Sequence, residues 1–428
     1  MDYSPTVILG FGFILFLIAG MPIAFILGVV CFAVIYYLGI SQIPGIAAKM
    51  FESLNTFSLL AIPFFILSGA LMAHGGVAEP LLKFAFEMVR SITGGFAIAV
   101  MVACIIFAAL SGVSVAISAA LGMIALPAML AKGYSRQLGV GLLSVGGTLG
   151  VLIPPSGILV LYGAISGESI SDLFKAGIVP GLIIGLVFCV LIYFICKVKK
   201  YGLVGSEEKF SMVKITKSFI EAFWALLMPV IILGGIYSGV FTPTEAAAVA
   251  VFYGIIVCSL TYKKMKLRDY LPILEQSAKF NAVVYFIIMT ATLFSFLITI
   301  EQWSNKILEL VIRMDVKPWL FLLFINIGVF IMGWFLHPGP IILMLVPMVY
   351  PILNRLGIDP IHFGVLLAIN SELAFITPPF GMNIFVVSSV CKVPVTEVIR
   401  GEIPFIIILF ISLLIITYFP QLSLVFVQ

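Results

Sequence analysis

The sequence predicts an all-α polytopic membrane protein. Of the 428 residues, 62% are hydrophobic and 10% are charged, whereas soluble domains carry about 25% charged residues. Several apolar runs reach the roughly 20 residues that a helix needs to cross a bilayer. The runs do not alternate in polarity as the strands of a membrane barrel do, so helices are expected. These runs cover residues 7–38, 59–73, 96–131, 178–195, 219–240 and 403–419.

The chain start and the cysteines agree with this class. Residues 1–5 lack the basic region and the cleavage site of a secretory signal, so the first apolar run is expected to be a retained helix. Single cysteines inside apolar runs predict small buried side chains, and neither a disulfide framework nor a metal site. They are Cys31, Cys104, Cys189, Cys196, Cys258 and Cys391.

Two basic stretches predict the orientation. Residues 197–217 and 263–279 are rich in lysine, and short basic loops stay in the cytoplasm. The second stretch can also be a solvated helix end, which leaves the orientation unchanged. The uncharged turn that contains Thr242 lies between them and is expected outside. Glu245 follows this turn and predicts a capped helix start, without chemistry.

Proline and glycine recur at one fixed offset. Pro127 is matched by Pro351, and Pro180 by Pro404, in both cases 224 positions later. Gly133, Pro154, Pro155, Gly157 and Gly177 recur at the same offset as Gly357, Pro378, Pro379, Gly381 and Gly401. The chain is therefore expected to be a duplicated unit. With an odd number of crossings in the first copy, the second copy is inverted, both termini lie in the periplasm, and binding is expected near the midplane. A parallel duplication would need a different crossing count in each half.

The duplication divides the chain into predicted parts. The first repeat is expected at 1–197, a cytoplasmic basic linker at 198–217 and the second repeat at 218–428. Each repeat contains scaffold helices and an amphipathic arm, at 77–93 and 301–317, which lies along the interface or forms a plain connecting loop. Re-entrant hairpins are expected at 95–131 and 318–354, and broken helices at 136–168 and 359–391.

Four helix breaks within apolar surroundings mark the expected binding site. Pro-Pro-x-Gly removes backbone donors and frees carbonyl groups, which membrane depth tolerates only where protein or a cavity satisfies them. Such carbonyl oxygens can coordinate a sodium ion. The alternative is that proline and glycine merely kink these helices, but duplicated motifs favour a binding site. The predicted site residues are Ser111, Gly112, Ser114, Pro154, Pro155, Ser156, Gly157, His337, Gly339, Thr377, Pro378, Gly381, Met382 and Asn383.

Three polar residues close to the breaks have alternative roles. Glu372, with Asn370, precedes the second Pro-Pro motif, and a carboxylate within the membrane is a functional candidate. Its alternative role is a hydrogen bond that braces the helix. His337 can bind protons or substrate, or it can be structural beside Pro-Gly-Pro.

Several motifs together resemble the large membrane subunit of TRAP (tripartite ATP-independent periplasmic) transporters, of the ion transporter superfamily. The likeness covers essentially the whole chain. It rests on residues 58–72, 107–112, 146–156, 356–364 and 376–383. Two departures are Val113, where the family often has a serine, and His337-Pro-Gly-Pro, where an acidic residue is common.

The resemblance implies an elevator-type, sodium-coupled importer of carboxylates in the bacterial inner membrane, without a cofactor. It also implies a small four-helix membrane subunit and a periplasmic substrate-binding protein as partners. By that likeness, residues 111–114 and 154–157 frame one sodium site, and residues 337–339 and 377–382 frame the second. The imported acid would be a C4-dicarboxylate, a sialic acid or a sugar acid.

Other functions fit the sequence less well. An intramembrane enzyme needs a catalytic dyad, and no Ser/His pair, metal-ligand cluster or Gly-Asp motif is present among three histidines and few acids. A channel could also use re-entrant hairpins, whereas a passive scaffold would not need duplicated breaks. Within transporters, the alternative is a carboxylate symporter of the same superfamily that works without a binding protein.

Overall fold

The computed structural model describes residues 5–40, 43–202, 211–378 and 381–427. Every regular element within these ranges is a helix. Nine of the helices described there are long and apolar enough to cross a membrane. The prediction of an all-helical membrane protein is confirmed.

The first half of the chain contains ten α-helices and one short 3-10 turn. They are α1 Pro5–Ile18, α2 Ile23–Tyr37, α3 Ile43–Glu52, the turn Phe57–Leu60, α4 Ala61–His74, α5 Ala78–Val89, α6 Gly95–Ser111, α7 Ser114–Ala131, α8 Arg136–Leu152, α9 Gly157–Ser166 and α10 Ile170–Lys199. The apolar run 7–38, expected as one helix, forms two. Gly20 adopts a left-handed φ of 75° and Pro22 precedes α2, so the helical hydrogen bonding cannot continue between them.

The second half also contains ten α-helices. They are α11 Met212–Tyr237, α12 Pro243–Ile256 with a π-turn Val257–Thr261, α13 Leu267–Ile300, α14 Trp303–Arg313, α15 Pro318–Gly333, α16 Pro338–Leu356, α17 Pro360–Phe375, α18 Met382–Cys391, α19 Val395–Tyr418 and α20 Gln421–Leu424. Most of the basic stretch 263–279 belongs to α13, so it is largely a helix end. Thr242 and Glu245 form the capping box of α12, which confirms the expected cap.

The two halves contain corresponding helices. Helices α5 to α10 begin 223 to 225 positions before α14 to α19, in the same order. The paired helices α6 and α7, and α15 and α16, occupy the expected hairpins. The broken helices correspond to α8 with α9 and to α17 with α18. Their crossing of the membrane and their relative inversion stay predictions.

Helices of each half pack against helices of the other half. Helix α7 packs against α18, and α16 packs against α9. Helix α19 lies on α8, where a Cβ atom added to Gly141 or Gly401 would overlap the backbone of the other helix. Helix α10 packs against α17 in turn. Because each broken helix is held by elements of the other half, the helix breaks of both halves meet in one shared core.

Candidate functional site

The first helix break lies between α6 and α7. Helix α6 ends at Ser111, Gly112 follows with a left-handed φ of 60°, and α7 begins at Ser114. A Cβ atom on Gly112 would overlap the carbonyl oxygen of Pro155. The tip of the first hairpin therefore sits directly on the Pro-Pro break between α8 and α9, and glycine makes this approach sterically possible.

Helix α4 supports the same tip from another side. A Cβ atom on Gly69 would lie 2.7 Å from the carbonyl oxygen of Ser111 and 2.9 Å from its Cα. Gly69 belongs to the motif at 58–72 whose function the sequence did not explain. The motif supplies a small residue where α4 must contact the backbone of the tip.

The second half contributes to this first tip through Asn383. Its Nδ2 atom donates to Oγ of Ser114 over 2.7 Å and lies 3.4 Å from the carbonyl oxygen of Ser144. Both Ser114 and Asn383 are buried. An amide from the break between α17 and α18 thus orders the start of α7.

Ser156, His337 and Thr377 have local hydrogen-bond partners. Ser156 is fully buried and caps α9 by accepting from the backbone N–H of Leu159 over 3.3 Å. Nδ1 of His337 accepts from the backbone N–H of Gly339 over 3.3 Å. The hydroxyl of Thr377 donates to the carbonyl oxygen of Leu373 over 2.6 Å. These side chains shape the helix ends beside the breaks.

A cavity of about 160 Å³ lies where the two tips and the two broken helices meet. Seven predicted residues line it: Gly112, Ser114, Gly157, His337, Gly339, Met382 and Glu372. Apolar side chains from α4 and α13 form another part of the wall, namely Ile62, Ile66, Phe280, Val284 and Ile287. The sequence did not single out these five residues, because apolar side chains in long apolar helices carry no distinguishing signal.

The other predicted residues lie behind the cavity wall. Ser111, Pro154, Pro155, Ser156, Asn370, Thr377, Pro378, Gly381 and Asn383 belong to the same helix breaks or to α17 but are not among the lining residues. Pro379 of the second Pro-Pro motif and the neighbouring Phe380 lie outside the described residues. The site therefore has an inner layer that faces the cavity and an outer layer that holds the tips in place.

Asn370 and Glu372 have different environments although they are two residues apart. Nδ2 of Asn370 donates to the backbone oxygen of Asn326 over 2.9 Å, and Asn326 donates to Thr417 over 3.0 Å. This chain of bonds braces α17 against α15 and α19. Glu372 instead faces the cavity close to Ser114, and its Oε2 atom is buried without a hydrogen-bond partner.

The helix ends determine the electrostatics of the cavity. Helices α7, α9, α16 and α18 all begin at its wall, and a helix start carries about half a positive charge from unpaired N–H groups. The preceding helices end close by and leave carbonyl oxygens unpaired. Among the described lining residues there is one carboxylate, Glu372, and no lysine or arginine. The arrangement offers N–H donors for an anion and carbonyl oxygens for a cation.

Two buried residues behind the site were not predicted from the sequence. Ser144 lies against Asn383, and Glu402 on α19 is fully buried next to Ser144. Glu402 directly precedes the apolar run that was delimited at 403, and an intramembrane carboxylate was an available signal.

Comparisons with known proteins agree with this architecture. Residues 11–422 match the family described as tripartite ATP-independent periplasmic transporter, DctM component. The chain is similar to the C4-dicarboxylate TRAP transporter large permease protein DctM of Pseudomonas aeruginosa, at 46% identity over 90% of this chain and 89% of that protein. It is also similar to the sialic acid TRAP transporter large permease protein SiaM of Vibrio cholerae, at 37% identity over 97% and 96%.

Among solved structures, the YdaH transporter of Alcanivorax borkumensis has a similar fold. The TM-score is 0.61 at 14% sequence identity, with 87% of each chain covered. This likeness concerns the fold alone. The family match over nearly the whole chain and the identity to the two permeases establish more: the protein belongs to the DctM family, the large membrane permeases of TRAP transporters.

Proposed function

We propose that this permease imports a small organic acid across the bacterial inner membrane, driven by a sodium gradient and supplied by a periplasmic binding protein. The observation that carries the proposal is the cavity at which four helices begin and three others end. Discontinuous helices that meet at membrane depth are how secondary transporters bind an anionic substrate together with coupling ions.

The anion would be bound by helix starts. Backbone N–H groups at the first turn of a helix form a ready site for carboxylates, and four such turns face one small space. No basic side chain from the described residues lines that space. The positive charge that balances the substrate must therefore come from helix ends and from bound cations.

Sodium would supply that charge. Glu372 is the one carboxyl group among the described lining residues, and a negative charge on it would repel an entering acid strongly at low dielectric. We place one sodium ion between residues 111–114 and 154–157, and the other between residues 337–339 and 377–382. The carbonyl oxygens freed at these breaks are neutral ligands of the kind that sodium accepts.

The size of the cavity bears on the substrate. Its volume of about 160 Å³ is below the about 300–1,000 Å³ of pockets for drug-sized ligands. Of the two acids named for the relatives above, a C4-dicarboxylate is smaller than a sialic acid. We infer that a C4-dicarboxylate is the best fit.

Transport would proceed by an elevator movement. Helices α4 and α13 contribute a largely apolar wall. Both tips and both broken helices, in contrast, are held together because helices of one half pack against helices of the other half. An interlocked unit can slide along an apolar wall as one body and carry the cavity across the membrane. The family description names a tripartite transporter, so we propose a small four-helix membrane subunit and a periplasmic binding protein as partners.

Uptake by proteoliposomes tests the proposal. The permease, the small subunit and the binding protein loaded with radiolabelled succinate should give uptake only with an inward sodium gradient. Omission of any one component should abolish it. Full uptake of free succinate by this chain alone would identify a carrier that works without a binding protein. Uptake without counterflow would identify a channel.

A further inference from the structure

The clearest feature that the proposed transport does not use is Glu402 on α19. Its side chain is fully buried, and neither carboxylate oxygen has a hydrogen-bond partner. It follows Gly401, where α19 approaches the backbone of α8 at Gln137 and Gly141.

Ser144 on α8 lies next to Glu402. Its Oγ atom is also buried without a partner. The backbone carbonyl oxygen of Ser144 lies 3.4 Å from Nδ2 of Asn383. The Ser144 hydroxyl can donate to only one oxygen of a charged Glu402, so the other oxygen stays unsatisfied, and a buried acceptor without a partner is costly.

One proton resolves this conflict. A protonated carboxyl group has an O–H donor and can donate to Oγ of Ser144. The same proton removes a buried negative charge, which is far more costly to bury than a neutral acid.

The charged groups on the neighbouring helices do not offer another solution. Helix α19 packs against α8, α10, α17 and α18. On α8, Arg136 lies 3.8 Å from Glu397. On α10, Lys175 pairs with Asp172 over 2.7 Å, Lys197 lies over the ring of Tyr193 and Lys199 is exposed at the far end.

The remaining helices supply no cation either. On α17, His362 lies against Ser423 and Thr417, and Glu372 faces the cavity. Helix α18 contains no charged residue within its bounds. Lys392 caps its end, and Arg400 precedes Glu402 by two residues, on a different face of α19.

We propose that Glu402 is a proton-binding site, held as a neutral carboxylic acid that donates to Ser144. The backbone carbonyl of Ser144 lies against Nδ2 of Asn383, which donates to Ser114 at the tip of the first hairpin. Glu402 is thus buried behind the turn of α8 that contacts Asn383. The inference goes beyond the proposed transport and does not depend on its substrate.

Infrared spectroscopy of the purified permease in lipid nanodiscs tests this site without transport. At neutral pH, the spectrum of the native chain minus that of Glu402→Gln should contain the carbonyl band of one protonated carboxylic acid. Ser144→Ala keeps Glu402 and should shift that band to higher frequency, because the acid loses its acceptor. Carboxylate bands in the difference spectrum, or a band that Ser144→Ala leaves in place, would overturn the proposal.

Sodium binding to the same nanodiscs separates a proton site from a cation site. Glutamine has the shape of the neutral acid, so Glu402→Gln should keep the sodium affinity within about twofold of the native value. A tenfold or larger loss would mean that Glu402 binds sodium as an anion. If Glu402→Gln fails to fold, the Ser144→Ala shift still decides whether the native acid is protonated.

Discussion

Nδ2 of Asn383 lies 2.7 Å from Oγ of Ser114, although the two residues are 269 positions apart in the chain. Ser114 begins the second helix of the first hairpin, and Asn383 lies in the first turn of α18. The bond ties the tip of one half to the helix break of the other half. It makes the two predicted ion sites parts of one structure.

We expect Ser114→Ala and Asn383→Ala to weaken sodium binding to a similar extent. Each removes one partner of a buried bond that is typically worth about 1 kcal/mol, so apparent sodium affinity should fall roughly five- to tenfold. The double variant should be little worse than either single variant, because both disrupt one interaction. Sodium titrations of succinate uptake measure this coupling, and fully additive losses would show that the two side chains act independently.

We expect Gly112→Ala to abolish transport. The added methyl group would overlap the carbonyl oxygen of Pro155, so the tip must move off the Pro-Pro break. Gly133→Ala is a matched control, since Gly133 also has a left-handed φ, of 79°, but no atom near its Cβ position. It should lose only the about 1–2 kcal/mol of left-handed backbone strain. Equal uptake by the two variants would argue against contact between tip and break.

We expect Ser156→Ala and Thr377→Ala each to lower apparent sodium affinity on the order of tenfold. Each deletes one oxygen beside a Pro-Pro break and leaves the prolines in place. High sodium concentration should restore much of the lost uptake. If uptake at limiting sodium stays normal in both variants and in the double variant, the Pro-Pro motifs are structural kinks.

The structure also predicts that Ser156→Ala lowers the stability of the protein. Ser156 caps α9 over 3.3 Å, and loss of a cap costs about 1 kcal/mol. Ser135 caps α8 by accepting from Leu138 over the same distance, 3.3 Å, away from the breaks. Ser135→Ala should therefore lower the melting temperature as Ser156→Ala does but leave the sodium affinity unchanged.

We expect cysteine labels to report the predicted orientation. In a cysteine-free background, Lys199→Cys and Lys266→Cys should react from the cytoplasm only, because both stand at the ends of basic stretches. Val240→Cys, exposed at 68% in the turn before α12, should react from the periplasm only. Labelling of position 240 from the cytoplasm would reject the orientation and, with it, the inverted repeat.

The sequence alone determined the helical membrane class. Backbone groups without hydrogen bonds are costly in lipid, so long apolar runs that cross a membrane form helices. It also determined the duplication, because proline and glycine change backbone geometry wherever they stand. The duplicated breaks at Pro154 and Pro378 therefore predicted where the candidate site lies. The family resemblance carried the proposed activity and partners.

Only the tertiary structure decided which residues meet. Gly112 and Pro155 belong to the same half of the chain, but Asn383 and Ser114 come from opposite halves. A periodic sequence pattern does not encode such a contact. The structure also separated Glu372, at the cavity, from Asn370, which braces α17, although both looked alike in the sequence. It showed Glu402 buried behind the site because burial depends on which helices cross, and helix crossing is a property of the whole packed chain.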